Sequence, residues 1–452
     1  MRDTVVQRVS YHHNRQEEYM EFDTVIQGGT ILDGTGANEP FPGDIGIAGD
    51  RIAAVGSLND AQSRSTIDAH GKIVAPGFID VHVHSELALL GSRDRLAGAW
   101  QGITTQLTSP DGFGWAPLPN AQARSLYNYT RFAYGDAKRP TACERIDTYL
   151  DTFRGQIPIN LCPQVPHCAV RLRACGWEPR PATDRELQTM IDLVRAWMEA
   201  GACALSLGLD YQPSVHATLS ELVTVAQVVA GYGGLYAAHI RKQALGTVGG
   251  WQETLEIAKR AHIPVHISHE RIDDRTGPLL SAAQREGLDL SFDSYLYPAG
   301  MTHLAILMPL DVQAGSLDTM LHRMRDPEVR ARSLAHLRDA LGPYGDQTIG
   351  YTASGRFIGM TIAQAAASVH KSWEAFAYDL ILEEEGLETC IIPWPQLGLE
   401  DDEIIRQTAA SPHMMVASDG IYNIPRPHPR GYGCFARILR RFVRELGLFP
   451  LE

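Results

Sequence analysis

The sequence predicts an α/β protein: a (β/α)8 barrel of TIM type, preceded by a small β-sandwich-like module and carrying an insertion between strands seven and eight. Three observations predict it. From Gly77 onward, eight short apolar β runs alternate with helical text, the pattern of repeated βα units and a parallel sheet. Histidines and an aspartate collect at the ends of those runs, where barrel enzymes keep their chemistry. The length of 452 residues exceeds one average domain, yet suits a barrel of about 250 residues with insertions and one appendage.

In chain order, residues 1–21 are polar and mixed in charge, without a period of two or 3.6, and read as an N-terminal arm. Residues 22–76 follow as β-rich runs (DTVIQGGTILDGTG, DIGIAGD, RIAAVGS, STIDAHGKIVAPG) broken by Gly, Asn and Asp turns, which predicts a small antiparallel module. The barrel occupies 77–452. Its eight strand runs are FIDVHVH, GITTQLTS, INLCPQVPH, ACALSLGLD, GGLYAAHI, IPVHISHE, LDLSFDSYLYP and HMMVASDG, with helical patterns such as DRELQTMIDLVRAWMEAG between them. The interval from about 303 to 410 is too long for a simple βα loop and contains helical text of its own, so it reads as an inserted lid or subdomain.

Composition narrows the class. A hydrophobic fraction of 44% and a charged fraction of 21% describe a globular chain able to bury a large core. The net charge of -13 argues against a nucleic-acid or anionic-membrane partner, which would call for a basic patch. Seven cysteines without a CxxC speak against a disulfide framework or a zinc ribbon and for reduced thiols in a cytoplasm. No apolar run reaches the roughly 20 residues of a membrane span, and the first residues lack the apolar core of a signal peptide.

In FIDVHVH, His82 and His84 are separated by one strand residue, so both rings share a face and can grip one metal ion. The alternative for such a pair is two polar residues that merely meet water. His239 and His269 end the fifth and sixth runs and can converge on the same place. His266, three residues before His269, falls on the opposite face by strand alternation and is expected to point away. Asp419 closes the last run. It can ligate a metal and carry a proton, or simply begin an Asp-Gly turn.

With these motifs in place, the chain resembles the amidohydrolase superfamily and, within it, the N-acyl-D-amino-acid deacylases or D-aminoacylases. The resemblance spans roughly residues 22–452 and is carried by VIQGGTILDGTG, APGFIDVHVH, GITT, ALSLGLDYQP, GGLYAAHIR, HISHER, FDSYLYPAG and the closing SDG followed by PHPRGYGCFARIL. It implies metal-dependent hydrolysis of an amide in a small, carboxylate-bearing substrate. It further implies one metal subsite at His82 and His84, a tighter one at His239 and His269, and Asp419 as base and then acid. Arg430 matches an arginine that holds the substrate carboxylate, Tyr297 a substrate-contacting tyrosine, and Arg271 stands where many relatives have a lysine. The implied cofactor is Zn²⁺, one or two ions, with another divalent metal as the alternative.

Two departures matter. Many relatives read GNCG after the second strand, with the cysteine as a ligand, whereas this chain reads SPDGFGW; Asp111 at the barrel rim is therefore the expected ligand. Relatives also continue past PLE with strands that complete the β module, so an oligomer or a second chain completing it is the corresponding expectation. The fourth strand run has no lysine to carry a bridging carbamate, and Lys242, beyond His239, is not expected to replace it. Competing readings are a cyclic amidase of hydantoinase or dihydroorotase type and a non-catalytic metal-binding relative.

Overall fold

The computed structural model describes residues 21–451, apart from 92–93, 136, 342–344 and 394–402. All but the last residue of the predicted N-terminal arm lies outside these. The described chain divides into two compact units, one ending at Gly77 and including Leu451, the other Phe78–Pro450.

In the first unit, β1 (Phe22–Ile31) pairs antiparallel with β2 (Phe41–Ala48), and β2 with β3 (Arg51–Gly56). The chain then crosses to the other edge of β1, where β4 (Ser63–Asp68) and β5 (Ile73–Val74) run parallel to it. The module is therefore a single mixed five-stranded sheet, not the antiparallel, sandwich-like one expected. The reason is the crossover: a hairpin return would pair β4 with β3, whereas a return to the far edge of β1 fixes the parallel direction. The bulge in β1 between Ile26 and Gly29 needs a residue without a side chain, because at Gly28 (φ +74) a Cβ would sit 2.4 Å from the His70 ring. Asp44, buried, accepts from the Gly28 and Leu58 amides at 2.7 Å each.

The second unit is mixed α/β. β6 (Phe78–Asp80), β7 (Ile103–Leu107) and β8 (Asn160–Cys162) pair in parallel, in that order. A second parallel series runs β9 (Val165–Pro166), β10 (Ala204–Gly208), β11 (Leu235–His239), β12 (Val265–Ile267) and β13 (Leu290–Ser294). Each predicted run contains a strand, and the third contains two short pieces. β10 is buried at all five positions, as expected for a parallel strand covered on both faces. The intervening helices follow their sequence signals. Asp184–Glu199 opens with a capping box of Thr183 and Glu186, and it buries Met190, Val194, Trp197 and Met198.

Between β13 and the last parallel strand lies a separate three-stranded sheet, in which β14 (Ala299–Thr302) pairs antiparallel with β16 (Thr389–Pro393), which in turn pairs with β15 (Thr348–Tyr351). Helices including Ile362–Ser368 and Trp373–Glu383 cover this sheet around a core of its own, among it Leu304, Val312, Leu337, Ile349, Phe376 and Leu380. β17 (Met414–Val416) then returns to pair in parallel with β13. Among the described residues no helix is long and apolar enough to cross a membrane.

Candidate metal centre

The end of the first strand run lies beside the end of the last. The Asp419 amide donates to the His82 carbonyl at 2.8 Å, and the His84 amide to the Gly420 carbonyl at 3.0 Å, with His84 and Ile421 in a parallel bridge. Both histidines therefore flank Asp419, although regular pairing in β6 stops at Asp80. Below them Asp80, fully buried, accepts from the Ser418 amide at 2.9 Å and from the Ser418 hydroxyl at 2.5 Å.

Asp111 is presented by a tight loop in which Ser109, Asp111 and Gly112 all have positive φ (62°, 55° and 71°). At Gly112 a Cβ would come within 3.0 Å of the Ser206 carbonyl and 3.2 Å of the Cys168 amide, so only glycine lets this loop lie on β10. His239 is the last residue of β11. His269 stands two residues beyond β12, in a turn with φ 40°, and its amide donates to Asp293 Oδ1 at 2.8 Å.

These six side chains converge. His82 Nε2 lies 3.7 Å from both Asp111 Oδ1 and Asp419 Oδ1, and His84 Nε2 lies 3.6 Å from Asp111 Oδ2 and 3.5 Å from Asp419 Oδ1. His239 Nδ1 and His269 Nε2 are 3.0 Å apart, and each is 3.9 Å from Asp111 Oδ1. Three ligand trios have their donor atoms within 4.8 Å of one another: His82, His84 and Asp111; Asp111, His239 and His269; His82, His269 and Asp419.

The donor set fits a divalent cation. His82 Nε2 and Asp111 Oδ1 are buried and have no hydrogen-bond partner, an arrangement that costs about 1–3 kcal/mol per group unless something occupies the gap between them. Four imidazoles and two carboxylates suit zinc and neighbouring divalent ions rather than soft monovalent ones. Burial alone would raise the Asp419 carboxyl. The Arg430 guanidinium and a hydrogen bond from His84 instead hold it well below the usual carboxylate range. Asp111 is likewise held low against its burial by the charges of His82, His239 and His269 around it.

The remaining sequence candidates lie around this cluster. Arg430, fully buried, places Nη1 2.8 Å from Asp419 Oδ2 and its guanidinium 4.5 Å from the Tyr295 ring centre. Arg271 donates to the Tyr297 carbonyl at 3.0 Å. The Tyr297 ring packs edge-on to His428 and beneath Arg437. Neither Arg271 nor Tyr297 belongs to a ligand trio. Lys242 is ion-paired with Glu270.

One expectation needs correcting. His266 does not point away from the cluster: its Nε2 is 2.9 Å from Asp293 Oδ2, and that carboxylate also faces His82. Alternation holds only to Ile267, because His269 has left the strand and its direction is set by the turn. Sequence reasoning also missed Asp80, Asp210 and Asp293. Asp210 Oδ2 is 3.1 Å from His239 Nε2 and accepts from the Lys242 amide, while Oδ1 accepts from the Gln243 amide. The one available signal was that Asp210 ends its strand run, as the chosen histidines do.

Comparison with known proteins agrees with this geometry. Residues 65–354 match the amidohydrolase family model. The chain belongs to the amidohydrolase family. Its relatives include a D-aminoacylase from Alcaligenes xylosoxydans xylosoxydans, 32% identical over 97% of this chain and 82% of the relative. An N-acyl-D-glutamate deacylase from the same organism is 29% identical over 96% and 80%. Among solved structures, the N-acyl-D-glutamate deacylase of Bordetella bronchiseptica, complexed with zinc and a phosphonate mimic of the tetrahedral intermediate, matches with a TM-score of 0.77. It is 30% identical and covers 95% of this chain and 83% of its own. A D-aminoacylase structure matches with a TM-score of 0.75 at 31% identity, covering 95% and 82%. These relatives place the chain on the D-aminoacylase branch of the amidohydrolases.

Proposed function

We propose that this amidohydrolase removes the N-acyl group from N-acyl-D-amino acids, using zinc or a similar divalent ion held by His82, His84, Asp111, His239, His269 and Asp419. The observation that carries this reading is the convergence of those six side chains around two unpartnered buried donor atoms, His82 Nε2 and Asp111 Oδ1. The near full-length similarity to deacylases of linear acyl amino acids supplies the substrate class. On this reading the parallel strands of the second unit form a (β/α)8 barrel, the unit is the catalytic domain, and the segment from about 303 to 410 is a lid or subdomain beside it.

A bound divalent ion would polarise the amide carbonyl and lower the pKa of a water to about 7. Asp419 does the proton transfer: Oδ1 faces His82 and His84, while Oδ2 is fixed by Arg430. It accepts a proton from the attacking water and returns it to the departing amide nitrogen. Arg430 keeps donors to spare, since Nε is buried without a hydrogen-bond partner. A planar guanidinium can thus hold Asp419 and a substrate carboxylate together. Tyr297 and Arg271, linked through the Tyr297 carbonyl, form the neighbouring substrate wall.

The test is a panel of N-acyl-D- and N-acyl-L-amino acids and their C-terminal amides with zinc-loaded protein. Expected are turnover of D-carboxylates, little turnover of the amides, and loss on chelation with recovery on adding Zn²⁺. Ring-opening of cyclic amides without cleavage of any linear acyl amino acid would overturn the proposal.

A further inference from the structure

Behind the ligand cluster, at the end of β13, one carboxylate reaches toward histidines from two other strand ends. Asp293 is fully buried. Its Oδ1 accepts the His269 amide at 2.8 Å, while its Oδ2 lies 2.9 Å from His266 Nε2 and 3.7 Å from His82 Nδ1. His82 thus turns Nε2 to the metal trio and Nδ1 to Asp293. His266 is held from its far side as well, with Nδ1 2.8 Å from the Ser291 hydroxyl, on the strand that carries Asp293.

We propose that Asp293 is the positioning residue of the metal centre, orienting His82 through its outer nitrogen and the His269 turn through its amide, with His266 fixing the carboxylate. The inference rests on the metal-binding reading above. Its physical basis is that an imidazole ligand must present one nitrogen at a set angle, which a carboxylate behind it helps to fix, here by a hydrogen bond to the His269 amide and by charge facing His82 Nδ1, and loss of such a partner typically weakens metal binding 10–100-fold. Asp293 differs from Asp210, which among the six clustered side chains meets His239: it ties the HxH segment to the later histidine turn, so both sides of the cluster depend on it.

The experiment is zinc titration and the visible spectrum of the cobalt-loaded protein for wild type, Asp293→Asn, His266→Gln and Ser291→Ala. Asp293→Asn should fold, weaken zinc binding by about 10–100-fold and change the cobalt spectrum, which reports ligand geometry and not overall stability. His266→Gln should do the same to a lesser degree, which keeps the inference open to refutation if Asp293→Asn does not fold. Ser291→Ala, which loosens only the far side of His266, should have the smallest effect of the three. Wild-type affinity and spectrum in both Asp293→Asn and His266→Gln would overturn the assignment while leaving the metal reading intact. A wild-type protein that binds no zinc would overturn both.

Discussion

Two buried carboxylates in the second unit behave in opposite ways. Asp111, in the strand-end cluster, faces His82, His84, His239 and His269 and is held well below the usual carboxylate range despite complete burial. Glu388, between β15 and β16, meets no cation among the described residues. It accepts the Leu304 and Ala305 amides, at 3.0 and 3.2 Å, and burial pushes its carboxyl up to about 7. Burial is common to both, so it does not mark a site. What marks the site is a carboxylate kept charged by groups brought from distant parts of the chain, beside donor atoms left without partners.

The strongest way to break this contrast is to remove a ligand from the cluster. His239→Ala or His269→Ala should abolish bound metal and activity together, with turnover falling by more than about 100-fold. Full metal content by elemental analysis in either variant would contradict the ligand assignment.

Asp419→Asn separates binding from chemistry. The amide can still coordinate weakly but cannot carry a proton, so most of the metal should remain while kcat falls by about 10²–10⁴-fold. Near-normal turnover would remove Asp419 from the proton path.

Asp111 sharpens the comparison most directly, since the family resemblance of the sequence implies a cysteine at its place. Asp111→Ala should weaken zinc binding by roughly 10-fold or more, and Asp111→Cys should recover it through a thiolate. Unchanged stoichiometry and affinity in the alanine variant would reduce Asp111 to a turn residue.

The smallest effect belongs to Glu388. Its folded pKa of about 7 stands above the ordinary 4.5, so the folded state favours the proton. Stability from the protonated form is complete below about 4.5 and is lost as the pH rises through 7. Glu388→Gln should therefore melt as wild type does at acid pH, then exceed it by roughly 2–4 °C by about pH 8. Parallel melting curves across that range would show that Glu388 finds compensation elsewhere.

Much of this was legible before any coordinates. The eight β runs, the HxH pair, the histidines ending runs five and six, and the aspartates after runs two and eight follow from local alternation, from turn chemistry and from resemblance to a known family. Each signal sits within a few residues of the chain. The strand β14 was hidden because it pairs with β16, far along the sequence, and has no distinctive pattern of its own.

By itself, then, the sequence determined the strand-helix alternation and placed the candidate metal-binding side chains at strand ends, because periodicity and composition act locally. Tertiary structure alone decided the mixed order of the N-terminal sheet, since parallel or antiparallel pairing depends on which edge a crossover reaches. It also decided that Arg430 holds Asp419, that His266 turns toward the cluster, and that Asp293 lies between His82 and His269. Those relations join groups as far apart in the chain as His82 and Asp293, and only the folded packing that excludes water brings such groups together.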